Sequence, residues 1–172
     1  MDKRPTHSDR NPRRQLSVLV TDAATLGAIA AIRSLGRVGY RVIACSADPE
    51  ALGLRSRHAT VRLVNPPYAN GQAFRDWLDT TLAQLRPALI VPSEACLLAL
   101  RPQLARYAHL LPGADDPARL YRAFSKHDVL QSFATAADPA LREQLPPTLL
   151  DDGSRPLDEL CAAAVADLGL PL

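Results

Sequence analysis

The sequence predicts an α/β fold, in which a parallel sheet lies between layers of flanking helices. Two observations lead to this prediction. Short apolar runs of strand length alternate with segments of helical periodicity over residues 16–113. The first strand, helix and second strand also follow one another within about 30 residues, which is the length and order of a parallel βαβ unit. With 172 residues, 47% of them apolar, the chain can form one packed core.

The first βαβ unit begins with the apolar run 16–21 and ends with a second predicted strand at 40–46. Between them, residues 26–38 form the first predicted helix, and Gly39 stands where a helix C-terminus is expected. The apolar residues of this helix recur at helical spacing and are predicted to face the core: Leu26, Ile29, Ala30, Ile32 and Leu35.

The alternation continues with a third strand at 61–64, a helix at 72–85 and a fourth strand at 88–92. The fourth strand is apolar throughout, which is typical of a strand buried on both faces. The next predicted helix, 94–107, contains Pro102, so we expect a kink or two short helices there.

After a last short predicted strand at 109–112, the alternation stops. Residues 115–123 and 126–137 are predicted to be helical, and 138–156 is a connector rich in Pro and Asp. Residues 157–168 are predicted to form an amphipathic helix with this buried face: Leu157, Leu160, Cys161, Val165 and Leu168.

The predicted organisation has three parts: a disordered basic leader (1–15), the α/β domain (16–113), and a helical connector with the start of a further domain (114–172). Residues 1–14 hold five Lys or Arg and two Asp, so the remainder is close to neutral although the net charge is +2. A solvated leader is favoured over nucleic-acid contact, because no interleaved basic and aromatic residues follow it.

Composition excludes several other classes of protein. No apolar run reaches the roughly 18 residues of a membrane span, and the N-terminus lacks the apolar core of a signal peptide. Three cysteines lie 51 and 65 residues apart, which matches neither a disulfide framework nor a metal site, and no histidine has a partner at ligand spacing. We therefore expect a cytoplasmic protein without a membrane, nucleic-acid or metal partner among these residues.

The turn after the first strand is where an α/β sheet would hold a phosphate. A dinucleotide-binding turn needs three glycines, whereas residues 21–27 hold only Gly27, and Asp22 would repel a phosphate. A plain turn is favoured.

Asp48, after the second strand, could bind a ribose, but without the glycines it is expected to cap its own turn. Residues 55–60 are expected to form a solvated basic loop, with contact to an anionic substrate as the alternative.

Ser93 and Glu94 directly follow the fourth strand, at the edge of the sheet where α/β proteins bind ligands. They are candidate substrate-binding residues, and the alternative is that Ser93 caps the next helix while Glu94 complements its dipole. Lys126 is the other candidate. After residue 14 the chain has fourteen arginines but one lysine, which indicates that position 126 needs a compact ammonium group. The alternative is that Lys126 is an ordinary surface residue.

Three segments, 16–21, 27–43 and 89–94 (Leu-Ile-Val-Pro-Ser-Glu), resemble the N-terminal, Rossmann-like domain of ATP-grasp ligases. Biotin carboxylase, the large chain of carbamoyl-phosphate synthetase and many carboxylate–amine ligases share this order of elements. The segment 124–134 resembles the "D-K" helix of that superfamily, and 145–148 (Leu-Pro-Pro-Thr) resembles the "P-x-T" entry to its next strand.

The resemblance implies that the chain is the N-terminal part of an ATP-dependent ligase that joins a carboxylate to an amine. It implies that Lys126 contacts ATP phosphates, although Ser125 replaces the usual Asp. In the family, the motif at 169–172 leads into a strand with a second ATP-binding lysine, so the remaining ATP and Mg²⁺ groups are expected beyond Leu172. The fragment alone is then expected to be inactive and to bind no cofactor. Its partners would be small carboxylate and amine substrates, and a homodimer is compatible with this reading.

Two other functions remain open from the sequence. One is a nicotinamide-dependent oxidoreductase domain, against which the turn at 21–27 argues. The other is a non-catalytic module that binds a small ligand or a protein through a Rossmann-like fold.

Overall fold

A computed structural model describes residues 16–145, 148–149, 151 and 153–168. The chain divides into two compact units, of which unit 1 ends at Asp115 and unit 2 begins at Asp116. The predicted leader at 1–15, Pro146 and Pro147 of the motif at 145–148, and the terminal motif at 169–172 lie outside the described residues.

Unit 1 contains a four-stranded sheet with helices against it. The strands are β1 (Ser17–Val20), β2 (Arg41–Ser46), β3 (Val61–Val64) and β4 (Leu89–Val91). The helices are α1 (Leu26–Arg37), α2 (Gly71–Leu85), α3 (Glu94–Leu100) and α4 (Leu104–Tyr107). All pairs are parallel and the order is β3-β2-β1-β4, with Val18 opposite Val42 on one side and Leu89 on the other. This confirms the predicted α/β fold with a parallel, Rossmann-like sheet flanked by helices.

Alternate side chains of the strands enter two different layers of the core. On one face, Val18 and Val20 of β1 and Ala44 of β2 pack with Ile32 of α1. The intervening β-strand residues point to the opposite face and are also fully buried, as are the core residues of α2: Leu19, Ile43, Cys45, Phe74 and Leu78. Because the sheet is covered on both faces, its central strands read as continuous apolar runs.

The ends of α1 are set by local chemistry. The Thr25 hydroxyl accepts a hydrogen bond from the Ala28 amide at the N-terminus, and Gly39 follows the C-terminus with a φ of 96°. The predicted stop at Gly39 is therefore confirmed. The predicted buried face is wrong at two positions, since Leu26 is 84% exposed and Ala30 is exposed. Leu26 is the first residue of the helix and lies beyond the end of β1, where no strand covers it.

Two strand predictions are corrected near the edge of the sheet. β4 is an edge strand among the described residues, so Leu89 is 36% exposed instead of buried. Residues 109–112 are not a strand, because Ala108–Leu110 forms a 3₁₀ turn closed by a hydrogen bond from the Leu111 amide to the Ala108 carbonyl. A short apolar run fits either structure until a neighbouring strand is available to pair with it.

The predicted break at Pro102 is confirmed. α3 ends at Leu100, a 3₁₀ turn covers Arg101–Gln103, and α4 follows. α4 is fastened to α2 by Asp79, which accepts a hydrogen bond from the Tyr107 hydroxyl at 3.0 Å and pairs with Arg106.

Unit 2 consists of helices among its described residues: α5 (Pro117–Arg122), α6 (Lys126–Ala134), α7 (Pro139–Glu143) and α8 (Leu157–Leu168). Asp116, Ser125 and Asp138 each accept an amide hydrogen bond at the N-terminus of the helix that follows. The connector prediction missed α7. The predicted buried face of α8 is wrong at Leu157, which is 76% exposed, and at Cys161. No described helix has the length and apolar composition needed to cross a membrane.

The three cysteines provide a chemical test of this fold. Cys45 and Cys96 are buried, and burial raises the pKa of both thiols, that of Cys96 to about 12, whereas Cys161 is exposed on α8. In native buffer near pH 8, an aromatic disulfide reagent should therefore label only Cys161, and all three thiols should react in denaturant. Cys161→Ser should remove the fast native reaction. Rapid native labelling of Cys45 or Cys96 would contradict the fold.

Candidate functional site

The order of the strands creates a crevice beside β1. β2 and β3 lie on one side of β1 and β4 lies on the other, so the connections that leave β1 and β4 diverge at the carboxyl edge of the sheet. A crevice of about 700 Å³ lies at this edge. Its lining comes from the ends of β1 and β4 and from the first turns of α1 and α3: Val20, Thr21, Asp22, Thr25, Gly27, Ala28, Val91, Pro92, Ser93, Glu94, Ala95 and Leu98.

Thr21 joins the two walls of this crevice. Its amide donates to the Val91 carbonyl at 3.1 Å and its hydroxyl donates to the same carbonyl at 3.3 Å. The hydroxyl oxygen also accepts a hydrogen bond from the Ser93 amide at 2.7 Å. Because Thr21 is 1% exposed, water cannot replace these bonds. Thr21 therefore fixes the separation between the ends of β1 and β4.

The turn between β1 and α1 is tightly bonded. Asp22 has a φ of 57°, in the left-handed region, and its carbonyl accepts from both the amide and the hydroxyl of Thr25. The Asp22 amide donates to the Tyr68 hydroxyl at 3.0 Å, and Tyr68 packs on Phe74 of α2. Burial raises the pKa of Tyr68 above its usual range, so this phenol stays neutral and its oxygen accepts the hydrogen bond from the Asp22 amide.

Ser93 and Glu94 lie where the sequence placed them, on the wall formed by β4 and α3. The Ser93 hydroxyl accepts from the Cys96 amide at 3.1 Å and so caps α3, and Glu94 is in the first turn of that helix. Ser93 therefore both caps α3 and lines the crevice. Glu94 is exposed, so its carboxylate is accessible to a ligand.

The charged groups that line the crevice are two carboxylates, Asp22 and Glu94, and its described lining contains no Lys, Arg or His. These carboxylates repel a pyrophosphate and attract a cationic group. A dinucleotide-binding turn requires glycine where a side chain would clash with closely packed atoms. Gly27 is not such a position, because a Cβ added there would meet no atom within 4 Å. Both observations favour the plain turn expected from the sequence.

The remaining sequence candidates lie elsewhere. The Asp48 carboxylate accepts from the Glu50 amide at 2.8 Å and thus caps its own turn, as expected. Residues 55–58 border a second cavity of unit 1, away from the crevice residues. Lys126 is the first residue of α6 in unit 2, where its side chain is exposed and Ser125 caps the helix through the Asp128 amide.

In the family that the chain resembles, the groups that hold Mg²⁺ are expected beyond Leu172. In proteins, Mg²⁺ is usually held by one or two carboxylates together with water and substrate phosphates. Among the described residues, no group of three His, Cys, Asp or Glu side chains comes together.

Sequence reasoning missed Thr21, Tyr68 and the left-handed conformation of Asp22. The bond between Thr21 and Ser93 joins residues 72 positions apart, and that between Asp22 and Tyr68 joins residues 46 apart. Only the strand order could have predicted the first bond. For the second, the sequence carries no local signal.

No protein-family model matches this chain. No curated protein sequence matches it significantly. The likeness to ATP-grasp ligases therefore rests on the sequence motifs alone.

Removing the Thr21 hydroxyl should loosen the crevice. In Thr21→Val the side chain keeps its volume, but the buried Ser93 amide loses its acceptor, so the free energy of unfolding should fall by about 1–3 kcal/mol. Thr21→Ser keeps the hydroxyl and loses one methyl group, for which we expect about 1 kcal/mol. Urea denaturation measures both values. A valine variant as stable as the wild type would show that the bond contributes nothing.

Proposed function

We propose that unit 1 is the substrate-binding domain of an ATP-dependent carboxylate–amine ligase. The observation that carries the proposal is the crevice between β1 and β4, lined by Ser93 and Glu94, at the point where the strand order reverses. Open α/β sheets bind ligands at this place. The sequence motifs at 16–21, 27–43 and 89–94, which resemble ATP-grasp ligases, supply the reaction class.

The charge of the crevice suits one of the two substrates. The carboxylates of Asp22 and Glu94 would attract the ammonium form of an amine, and the Ser93 backbone and side chain are already fixed by bonds to Thr21 and Cys96. A site with rigid walls loses little entropy when it binds. After the ammonium loses a proton to solvent, the free amine would attack the acyl carbon of a carboxylate activated as its acyl phosphate. The C–N bond would form as the C–O bond to the phosphate group breaks and phosphate leaves.

Lys126 would supply a positive charge to ATP phosphates in this proposal. It is exposed at the start of α6, and it is the single lysine after residue 14. Unit 2 would then be the connector to an ATP-grasp domain. A cytoplasmic location fits the three free cysteines, because thiols persist in a reducing compartment.

The two alternatives have less support. A nicotinamide-dependent oxidoreductase needs a turn that accepts a pyrophosphate, whereas Asp22 places a carboxylate there and the turn has a single glycine. A non-catalytic binding module would use the same crevice and would be distinguished by the absence of ATP turnover.

Lys126→Ala should reduce ATP use by roughly tenfold to a hundredfold, because a charge-assisted bond to phosphate contributes about 1.5–3 kcal/mol. Lys126→Arg should recover part of this loss, since a planar guanidinium replaces a compact ammonium imperfectly. The assay is ADP release in the presence of carboxylate and amine substrates, with the longest polypeptide that the coding frame encodes.

Arg142→Ala is the matched control, because it removes an exposed cation from the same unit. It should leave ATP use unchanged, and circular dichroism should show all three variants folded. Equal ADP release by wild type and Lys126→Ala would contradict the role of Lys126. Dependence of turnover on NAD(H) instead of ATP would overturn the proposed reaction.

Gly27→Ala separates binding in the crevice from stability. Because the new methyl group meets no atom within 4 Å and Ala is the better helix former, the free energy of unfolding should rise by about 0.5–1 kcal/mol. The methyl group would occupy crevice space, so KM for the amine should rise while the protein becomes more stable. Leu26→Ala, at the exposed neighbouring position, should leave KM unchanged. A Gly27→Ala variant with unaltered KM would place the substrate elsewhere.

A further inference from the structure

Unit 1 has a second cavity whose charged lining is opposite in sign to that of the crevice. It has a volume of about 520 Å³ and lies between the second half of α1 and the segment before β3. Six residues line it: Arg33, Arg37, Arg55, Ser56, Arg57 and His58. Four of them are arginines, and none is acidic. We call this cavity the arginine pocket.

The arginine pocket has a fixed backbone. A Cβ at Gly36 of α1 would lie 2.5 Å from the Cβ of His58, so glycine is needed there to let the segment approach the helix. Ser56 is buried, and its hydroxyl accepts from the His58 amide at 3.2 Å. The Thr60 amide then donates to the Val42 carbonyl at 2.8 Å, which ties the segment to β2. The arginines therefore project from a constrained surface.

Ion pairing and the helix dipole explain only two of the four arginines that line the pocket. Arg55 forms an ion pair with Glu50, and Arg37 lies in the last turn of α1, where a cation complements the helix dipole. Among the described residues, Arg33, Arg37 and Arg57 form no ion pair with a carboxylate. Arg33 and Arg37 are also four residues apart on one helix, a spacing at which like charges repel.

We propose that the arginine pocket binds a small molecule that carries a phosphate or diphosphate group. Guanidinium groups form paired hydrogen bonds to phosphate oxygens, and four of the six residues that line the pocket are arginines. The volume of the cavity lies within the usual range for small-molecule sites. A cavity lined by only six residues favours a small ligand over a nucleic acid, which needs an extended basic track. The site uses neither the crevice nor Lys126, so it stands independently of the proposed ligase activity.

Calorimetric titration with inorganic pyrophosphate tests this site, with the double variant Arg33→Gln/Arg57→Gln against wild type. The double variant should bind at least tenfold more weakly, because two guanidinium contacts are lost. The matched control, Arg62→Gln/Arg119→Gln, removes two exposed arginines outside the pocket and gives the same net charge. It should bind like the wild type. Equal weakening in both double variants, or no binding by the wild type, would overturn the proposal.

Two further titrations identify the source of the phosphate. ADP in the Lys126→Ala background avoids the proposed ATP contact, and tighter binding than pyrophosphate would assign a nucleotide to the pocket. Affinity for ADP equal to or weaker than that for pyrophosphate would assign a diphosphate recognised without a base. A single-stranded oligonucleotide that binds more tightly than either, with the same dependence on Arg33 and Arg57, would overturn the small-molecule assignment.

Discussion

The crevice depends on the hydrogen bonds that Thr21 makes between the ends of β1 and β4. This one buried side chain accepts from the Ser93 amide and donates to the Val91 carbonyl, so it fixes two strands that are distant in sequence. The Ser93 that it holds is also the N-cap of α3, which sets the direction of that helix. The opposite wall, α1, starts from the bonded turn at Asp22. The positions of the two crevice walls are therefore set by a few hydrogen bonds between side-chain hydroxyls and the backbone.

α1 connects two regions of opposite charge. Its N-terminal residues line the crevice, where the charged groups are the carboxylates of Asp22 and Glu94, and its second half lines the arginine pocket through Arg33 and Arg37. A 12-residue helix is about 18 Å long, and its dipole favours anions at the first end and cations at the second. The dipole of α1 thus favours Arg37 in its last turn, and the two cavities differ in the sign of their charged lining.

The sequence predicted those parts of this arrangement that depend on short-range patterns. Apolar runs located the four strands, Gly39 located the end of α1, and Pro102 located the break between α3 and α4. It was harder to predict which residues of a helix lie over a strand and which extend past the end of the sheet. Periodicity assigned Leu26 to the core, but it does not show that β1 ends six residues earlier, at Val20, and leaves that side chain uncovered. Residues 109–112 were apolar enough for a strand, but a strand also needs a neighbour to pair with.

The sequence predicted the location of the crevice at the carboxyl edge of the sheet and two of its residues, Ser93 and Glu94. It did not predict the hydrogen bonds that hold the crevice together. Ser93 and Glu94 follow a strand directly, so their place at the carboxyl edge needed only the α/β pattern. The role of Thr21 needed the strand order, because the bond to Ser93 exists only when β4 lies beside β1. The arginine pocket likewise needed the close approach of His58 to Gly36, which the basic sequence at 55–60 does not reveal.

Amide chemical shifts test most directly whether the crevice binds the proposed amine substrate. In a titration of the ¹⁵N-labelled protein with a panel of primary amines and amino acids, we expect the largest shifts at Asp22–Ala28 and Ser93–Leu97, the two segments that line or support the crevice. Glu94→Gln should weaken the response. Shifts induced in these segments by NAD(H) but by no amine, or amine-induced shifts confined to other parts of the chain, would contradict the account.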